Sequence, residues 1–270
     1  MFFLVTLLGS INKVVPQYLQ KPVTVAIAIL LSVGIILTLL GRDRRYDKIW
    51  FDGRAVAESV KTVAWRYMMR GEPFGLEASQ VDNAFIAEMA EIRNARPSIQ
   101  AYLGGQAEKS KPISNYMREV REAEFRRRKQ EYLDGRIRDQ KIWYGAKCKW
   151  NQRRSALWYA AVLILQVVAL ILAIITAAYG PFPLNLAGLL MTAAASFTAW
   201  SQAKRHEDLT NSYSVASQEL LDIETLAENI NDDDAFKSVV DQAEEAISRE
   251  HTMWCAKRNI SIASSRKRKV

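Results

Sequence analysis

Charge is missing from two long stretches of this chain. No Asp, Glu, Lys or Arg occurs from Pro22 to Gly41 or from Ser155 to Ala203, although the chain carries 37 basic and 29 acidic residues and a formal net charge of +8. An evenly basic soluble domain is excluded by that segregation, which is the signature of a bilayer. Cysteine and histidine are equally scarce, with two of each in 270 residues. Cys148 and Cys255 are far apart and have no ligand-spaced partners, which argues against a zinc site or a disulfide framework and leaves reduced thiols. His206 and His251 share no local motif, and neither a Walker-type glycine loop nor a dinucleotide fingerprint after a strand is present. Glu244, Glu245 and Glu250 lie near His251, but no nucleophile or metal partner accompanies them. The sequence therefore predicts no catalytic residue, no metal, no cofactor and no enzyme. The plainer reading of that segment is a charged helix that docks through Ile247 and Trp254.

What is there is apolar length. A helix crossing the hydrocarbon core needs ~20 mostly apolar residues. Val23 to Leu40 meets that requirement. The second uncharged run is too long for one span and is broken by YGPFPLN at 179–185, where Gly180, Pro181 and Pro183 mark a tight connection. It predicts a hairpin of spans at about 156–178 and 184–202, the second carrying small residues in MTAAASFTAW that let helix backbones approach closely. The N-terminal MFFLVTLLGSI is apolar but too short to span, and no basic region precedes it as in a signal peptide. Two readings stand: the second half of a shortened helix paired with the 23–40 span, or an interfacial segment.

Arg42, Arg44, Arg45 and Lys48 follow the first span. Lys141, Lys147, Lys149, Arg153 and Arg154 precede the second, and Lys204 and Arg205 follow the third. Basic flanks stay cytoplasmic, so residues 42–154 and 204–270 are predicted to be cytoplasmic and the 179–185 turn external. Those segments lack period-two alternation and read as helical, with loops at GEPFG, around Pro97, at GGQAEKSKP and at NINDDD. The fold class is all-α: an integral membrane helical protein with three transmembrane helices, a partial fourth at the N-terminus, and cytoplasmic helices. In RAVAESVKTVAWRYMMRGEPF, residues 54–74, Val56, Val60, Val63 and Tyr67 form one stripe, while Arg54, Glu58 and Lys61 share another face as a self-paired, exposed surface. A second reading gathers Arg54, Lys61 and Arg66 around an anionic nucleotide, since Arg and Lys suit phosphate.

The two halves repeat in outline, each with a membrane hairpin, a basic stretch, a helix containing AVAES (55–59) or SVASQE (214–219), and a helix opened by Phe85 or Phe236. This divides the chain into units 1–112 and 113–270. The basic tail SSRKRKV is read as a solubilising end, with attraction to anionic headgroups as the alternative. No stacking aromatics surround it, which argues against nucleic acid.

In the first half Trp50, Arg54, Ala55, Ala57, Glu58, Ser59, Lys61, Thr62, Trp65, Arg66 and Tyr67 follow the span. This pattern resembles one subtype of the SLATT domains, the SMODS and SLOG-associating two-transmembrane effector domains of bacteria. Tyr132, Leu133, Arg136, Gln140, Trp143 and Tyr144, then a hairpin, then Phe236, Glu244, Glu245, Glu250, His251 and Trp254 resemble a second subtype in tandem. The resemblance covers nearly the whole chain but departs at the short N-terminus. It implies a multi-pass effector of the bacterial inner membrane that forms a pore or perturbs the bilayer in nucleotide-linked anti-phage or conflict systems. Its implied partners are lipid, further copies of itself and a nucleotide-second-messenger or nucleotide-sensing protein. A non-conducting membrane scaffold is the alternative. The family defines no catalytic residues, so the motif positions carry no assigned role.

Overall fold

The computed structural model describes the backbone of residues 2–43, 46–75, 78–97, 99, 111–180, 182 and 184–257, with side chains except those at 2, 41–43, 46–48, 51, 78–79 and 249–257. Among the described residues, regular structure is all helical and no strand occurs. The chain divides into two compact units. Unit 1 comprises Met1–Arg45 with Cys148–Thr210, and unit 2 comprises Tyr46–Lys147 with Asn211–Val270. Each therefore draws on both halves of the sequence.

Unit 1 holds the apolar helices. Helix α1 (Phe2–Asn12) turns back through Lys13–Pro16 onto α2 (Gln17–Asp43), and the two pack together. Asn12 Nδ2 donates to Thr24 Oγ1 at 3.2 Å across that hairpin, so the N-terminal apolar segment is a helix paired with α2. Pro22 lies inside α2, which begins before the predicted span at Val23. Helix α7 (Asp139–Tyr179) ends at Gly180, whose φ of +94° suits a residue without a side chain. Helix α8 (Leu186–Lys204) follows, its first turn capped by Asn185, whose Oδ1 accepts from the Gly188 amide at 3.0 Å. Trp158 of α7 meets Phe197 of α8 edge to face at 5.4 Å. This is the hairpin that the 179–185 turn predicts.

Among the described residues, two helical stretches are long and apolar enough to cross a membrane, Gln17–Leu40 and the one within Phe125–Tyr179. Only 6% of each apolar window is buried, which distinguishes both from the core helix of a soluble protein. Helix α8 is not among them, because its Ala, Ser and Thr residues and Gln202 dilute its apolar character over 19 residues.

Unit 2 is built around α3 (Tyr46–Met69), which packs on α4 (Ala78–Asn94), α5 (Asn115–Glu122), α6 (Phe125–Tyr132) and α10 (Asp233–Lys257). The start of α7 and most of α9 (His206–Asn229) complete it. Ser114 caps α5 by accepting from the Met117 amide, and Asp232 does the same for Ala235 ahead of α10. Asp233 and Asp234 then place negative charge at the positive end of α10. The core holds Tyr67, Phe74, Phe85, Tyr132, Leu220 and Phe236, all buried. Ala55 and Ala216 are buried, as are Phe85 and Phe236. The GEPFG and NINDDD loops fall between helices as expected, while most of GGQAEKSKP and the whole SSRKRKV tail lie outside the described residues.

Candidate functional site in the second unit

Between α6 and α7 the chain passes through one wider turn, a π-helical segment at Leu133–Arg138. Such turns shift the side-chain register and recur at functional positions. Here the segment turns Arg136 fully inward. Its guanidinium donates from Nε to Glu244 Oε1 at 2.9 Å and from a terminal nitrogen to Oε2 at 2.7 Å, a two-pronged pair with α10. The Tyr132 hydroxyl donates to Glu244 Oε1 at 3.1 Å, and Thr62 of α3 donates to Oε2 at 2.8 Å. Glu244 is thereby satisfied on both oxygens while wholly buried. Burial works against the Arg136 charge, but its bonds to Glu244 carry its pKa above the ordinary value. Burial and the neighbouring carboxylate push the Tyr132 phenol well up.

Trp65 closes this centre. Its ring meets Tyr132 edge to face at 5.6 Å, and a Cβ at Gly135 would come within 3.0 Å of its Cη2. The wide turn and the absent side chain at 135 together admit the indole. Arg66 follows a different course from the predicted nucleotide cluster: its Nε lies 3.5 Å from Asp241 Oδ1. Neither atom has a hydrogen bond, so the contact is a charge pair with poor alignment. Burial raises the Asp241 pKa even so. Tyr67 donates to Asp82 at 2.7 Å, and burial followed by that bond pushes its phenol up to about 12.

A second group of motif positions lines a cavity of about 250 Å³, formed by Arg54, Glu58, Lys61, Asp139, Gln140, Trp143, Tyr144 and Ile247. The predicted Glu58–Lys61 pair is present at 3.3 Å, and the other Glu58 oxygen is buried without a hydrogen-bond partner. Arg54 stands 6.0 Å from the Trp143 ring centre and Lys147 5.6 Å from it, so one indole is flanked by two cations. Trp143 and the buried Tyr144 both pack against Tyr213 of α9. Gln140 donates to Asp139 at 3.1 Å. Trp50 and Glu245 are exposed, and the side chains of Glu250, His251 and Trp254 lie outside the described residues, although α10 runs through them.

Sequence reasoning missed the ion pairs that tie the π-helical segment and the start of α7 to α9. Arg138 bridges Glu224 at 2.6 Å and Glu228 at 2.7 Å, and Lys141 also reaches Glu224. It missed Asp52, buried and bound by Arg96 at 2.6 Å. Only their charge-bearing letters were available as a signal, and those occur equally on solvated faces.

SMODS and SLOG-associating 2TM effector domain 3 matches residues 1–129, and SMODS and SLOG-associating 2TM effector domain 1 matches residues 132–254. No curated protein and no solved structure matches the chain. With the two exposed apolar helices, these matches point to a membrane protein and a membrane effector.

Proposed function

Because the chain belongs to the SLATT family, as two such domains in tandem, we propose that it forms a pore in, or otherwise perturbs, the bacterial inner membrane in nucleotide-linked anti-phage or conflict systems. The observation that carries this reading is the exposure of the apolar windows in α2 and α7, of which only 6% is buried within the chain. Lipid or further copies must cover that surface, since an apolar helix face has no other favourable environment. The basic flanks favour a cytoplasmic side for unit 2, where a nucleotide-second-messenger or nucleotide-sensing protein partner would reach it. No catalytic step is assigned to it.

Conduction by one chain is disfavoured. The hydroxyls of Ser32, Thr38, Thr176, Thr192, Ser196 and Thr198 each donate back to a carbonyl of their own helix. A polar path therefore requires several copies or a repacking of the helices. The same self-satisfied hydroxyls favour a second reading, a non-conducting scaffold whose cytoplasmic helices bind a partner.

Induced expression in bacteria with a membrane-potential dye, paired with dye release from liposomes holding the purified protein, separates the two. The effector reading expects collapse of the potential and dye release once the activating nucleotide or partner is supplied. Intact potential and sealed liposomes under every such condition would overturn it and leave the scaffold.

A further inference from the structure

At the charged end of the α7–α8 hairpin, away from the 179–185 turn, two tryptophans each hold a cation four residues further along. The Arg154 guanidinium carbon stands 5.4 Å from the centre of the Trp150 ring on α7, and Lys204 Nζ stands 4.5 Å from the Trp200 ring on α8. We propose that this end of the hairpin is a headgroup site for an anionic phospholipid, with Arg154 and Lys204 holding the phosphate. The site rests on the reading of unit 1 as membrane-embedded but not on pore formation, so it holds equally for a scaffold.

His206 brings the two cations together. Its ring meets Trp150 edge to face at 5.6 Å and its Nδ1–H donates to Asn151 Oδ1 at 2.8 Å, which fastens the start of α9 to the first part of α7. Arg154 lies about one helical turn beyond Trp150, and Lys204 lies two residues before His206. Both charges reach the imidazole, where they add to burial in lowering its proton affinity. One cation from each helix therefore converges on the same point.

Nothing near them cancels their charge. No Asp or Glu occurs from Gln140 to His206, and Asp208 is taken by Arg205 at 2.8 Å. Among the described residues neither Arg154 nor Lys204 enters an ion pair, and both side chains are exposed. An indole face orients a cation without neutralising it.

Position selects the anion. Arg154 immediately precedes the uncharged run at Ser155 and Lys204 immediately follows it at Ala203, so each is the first charge outside its span. Trp150 and Trp200 are half-exposed at that boundary, where amphipathic rings are favoured. Leu157, about one turn deeper than Arg154, is an exposed apolar side chain. A free anion makes no use of that apolar surface, whereas a phospholipid satisfies the charge and the surface together.

The test uses the full chain, purified in neutral detergent, stripped of lipid and titrated with an equal mixture of phosphatidylglycerol and phosphatidylcholine. Native mass spectrometry counts the lipid retained. The unaltered chain is expected to retain phosphatidylglycerol in preference. Arg154→Gln and Lys204→Gln should each reduce that preference about fivefold, and the double variant should abolish it. Arg153→Gln removes an exposed cation one residue away, and Arg127→Gln removes one paired with Glu119 at 2.6 Å in unit 2; both should keep the preference. All four side chains are exposed, so the variants are expected to fold. Absence of any preference in the unaltered chain overturns the site. A loss in Arg153→Gln equal to that in Arg154→Gln also overturns it and leaves only diffuse attraction to a basic flank. Displacement of phosphatidylglycerol by excess inorganic phosphate at constant ionic strength would assign a free anion instead. A chain that stays soluble without detergent would defeat the membrane reading itself, whereas the other outcomes defeat the site alone.

Discussion

Glu244 has no exposure to water and two hydrogen-bonded oxygens, so its neighbours decide what its charge costs. Replacing Arg136 by Met strands the carboxylate among apolar groups with only Tyr132 and Thr62 as donors, and should destabilise unit 2 by about 3–5 kcal/mol. Adding Glu244→Leu removes the stranded charge, and the double variant should recover most of that loss. Chemical unfolding followed by tryptophan fluorescence measures both; equal instability of single and double variants would show that the pair is needed for more than mutual compensation. Gly135→Ala tests packing at the same centre. The new methyl meets Trp65 at 3.0 Å, and Trp65 is held against Tyr132, so about 1–3 kcal/mol of destabilisation is expected, relieved when Trp65 becomes Leu. His206 gives a pH signature. It is buried beside Trp150, and its Nδ1–H donates to Asn151 Oδ1 at 2.8 Å. Burial first, then Arg154 and Lys204, lowers its pKa below the ordinary 6.5. The unfolded chain then takes up the proton before the folded one, so its stabilising contribution is full above that value and is lost as pH falls below it. Thermal unfolding across about pH 5.5 to 7.5 should show a slope that His206→Gln flattens.

Helices were legible because their causes are local. Uncharged length marked α2 and the α7–α8 hairpin, and Gly180 with its flanking prolines marked the turn between them. The repeating stripe marked α3, where Val56, Val60 and Val63 are half-buried and Tyr67 is buried. The π-helical segment was not legible, since LDGRIR has no letter that separates it from an α-helix; its register is set by what Arg136 and Trp65 must reach. Arg66 was misplaced for the same reason, because the sequence gives no sign of Asp241, which approaches from α10. Arg54, Glu58, Lys61, Gln140, Trp143 and Tyr144 were named from motifs, but their convergence on one cavity required the fold. The apolar elements yield a direct prediction. Ile29→Lys in α2 or Leu170→Lys in α7 places a charge on an exposed apolar face, and insertion near a span centre should cost about 2.5–3.5 kcal/mol. Membrane fractionation with alkaline extraction should then find more of each variant in the soluble or degraded fraction. Unchanged retention of both would argue against lipid as the cover of those faces.

At the scale of the whole molecule, the two sequence halves are not two independently built bodies. Unit 2 takes α3 and α4 from the first half and α9 and α10 from the second, and Thr62, Tyr132, Arg136 and Glu244 close one buried network across the join. A fragment of residues 113–270 would keep the Arg136–Glu244 pair but lose Thr62 and the covering Trp65, and water would enter the ion pair. A fragment of residues 1–112 would leave Tyr67, Met69 and Phe85 with α4 but without α5, α6 and α10, which also pack on α3. Neither should hold native unit 2 alone, since core side chains of this size contribute about 1.5–3 kcal/mol each when buried. Co-expressed, the fragments should reassociate, because the network and the aromatic core need no covalent link through Pro112. Affinity purification of one tagged fragment should recover the other in near-equal amount. Arg136→Met should abolish that recovery, whereas Arg127→Gln should not. Recovery of either fragment alone as a folded, protease-resistant species would mean that each half carries its own core and that the cross-half network is incidental.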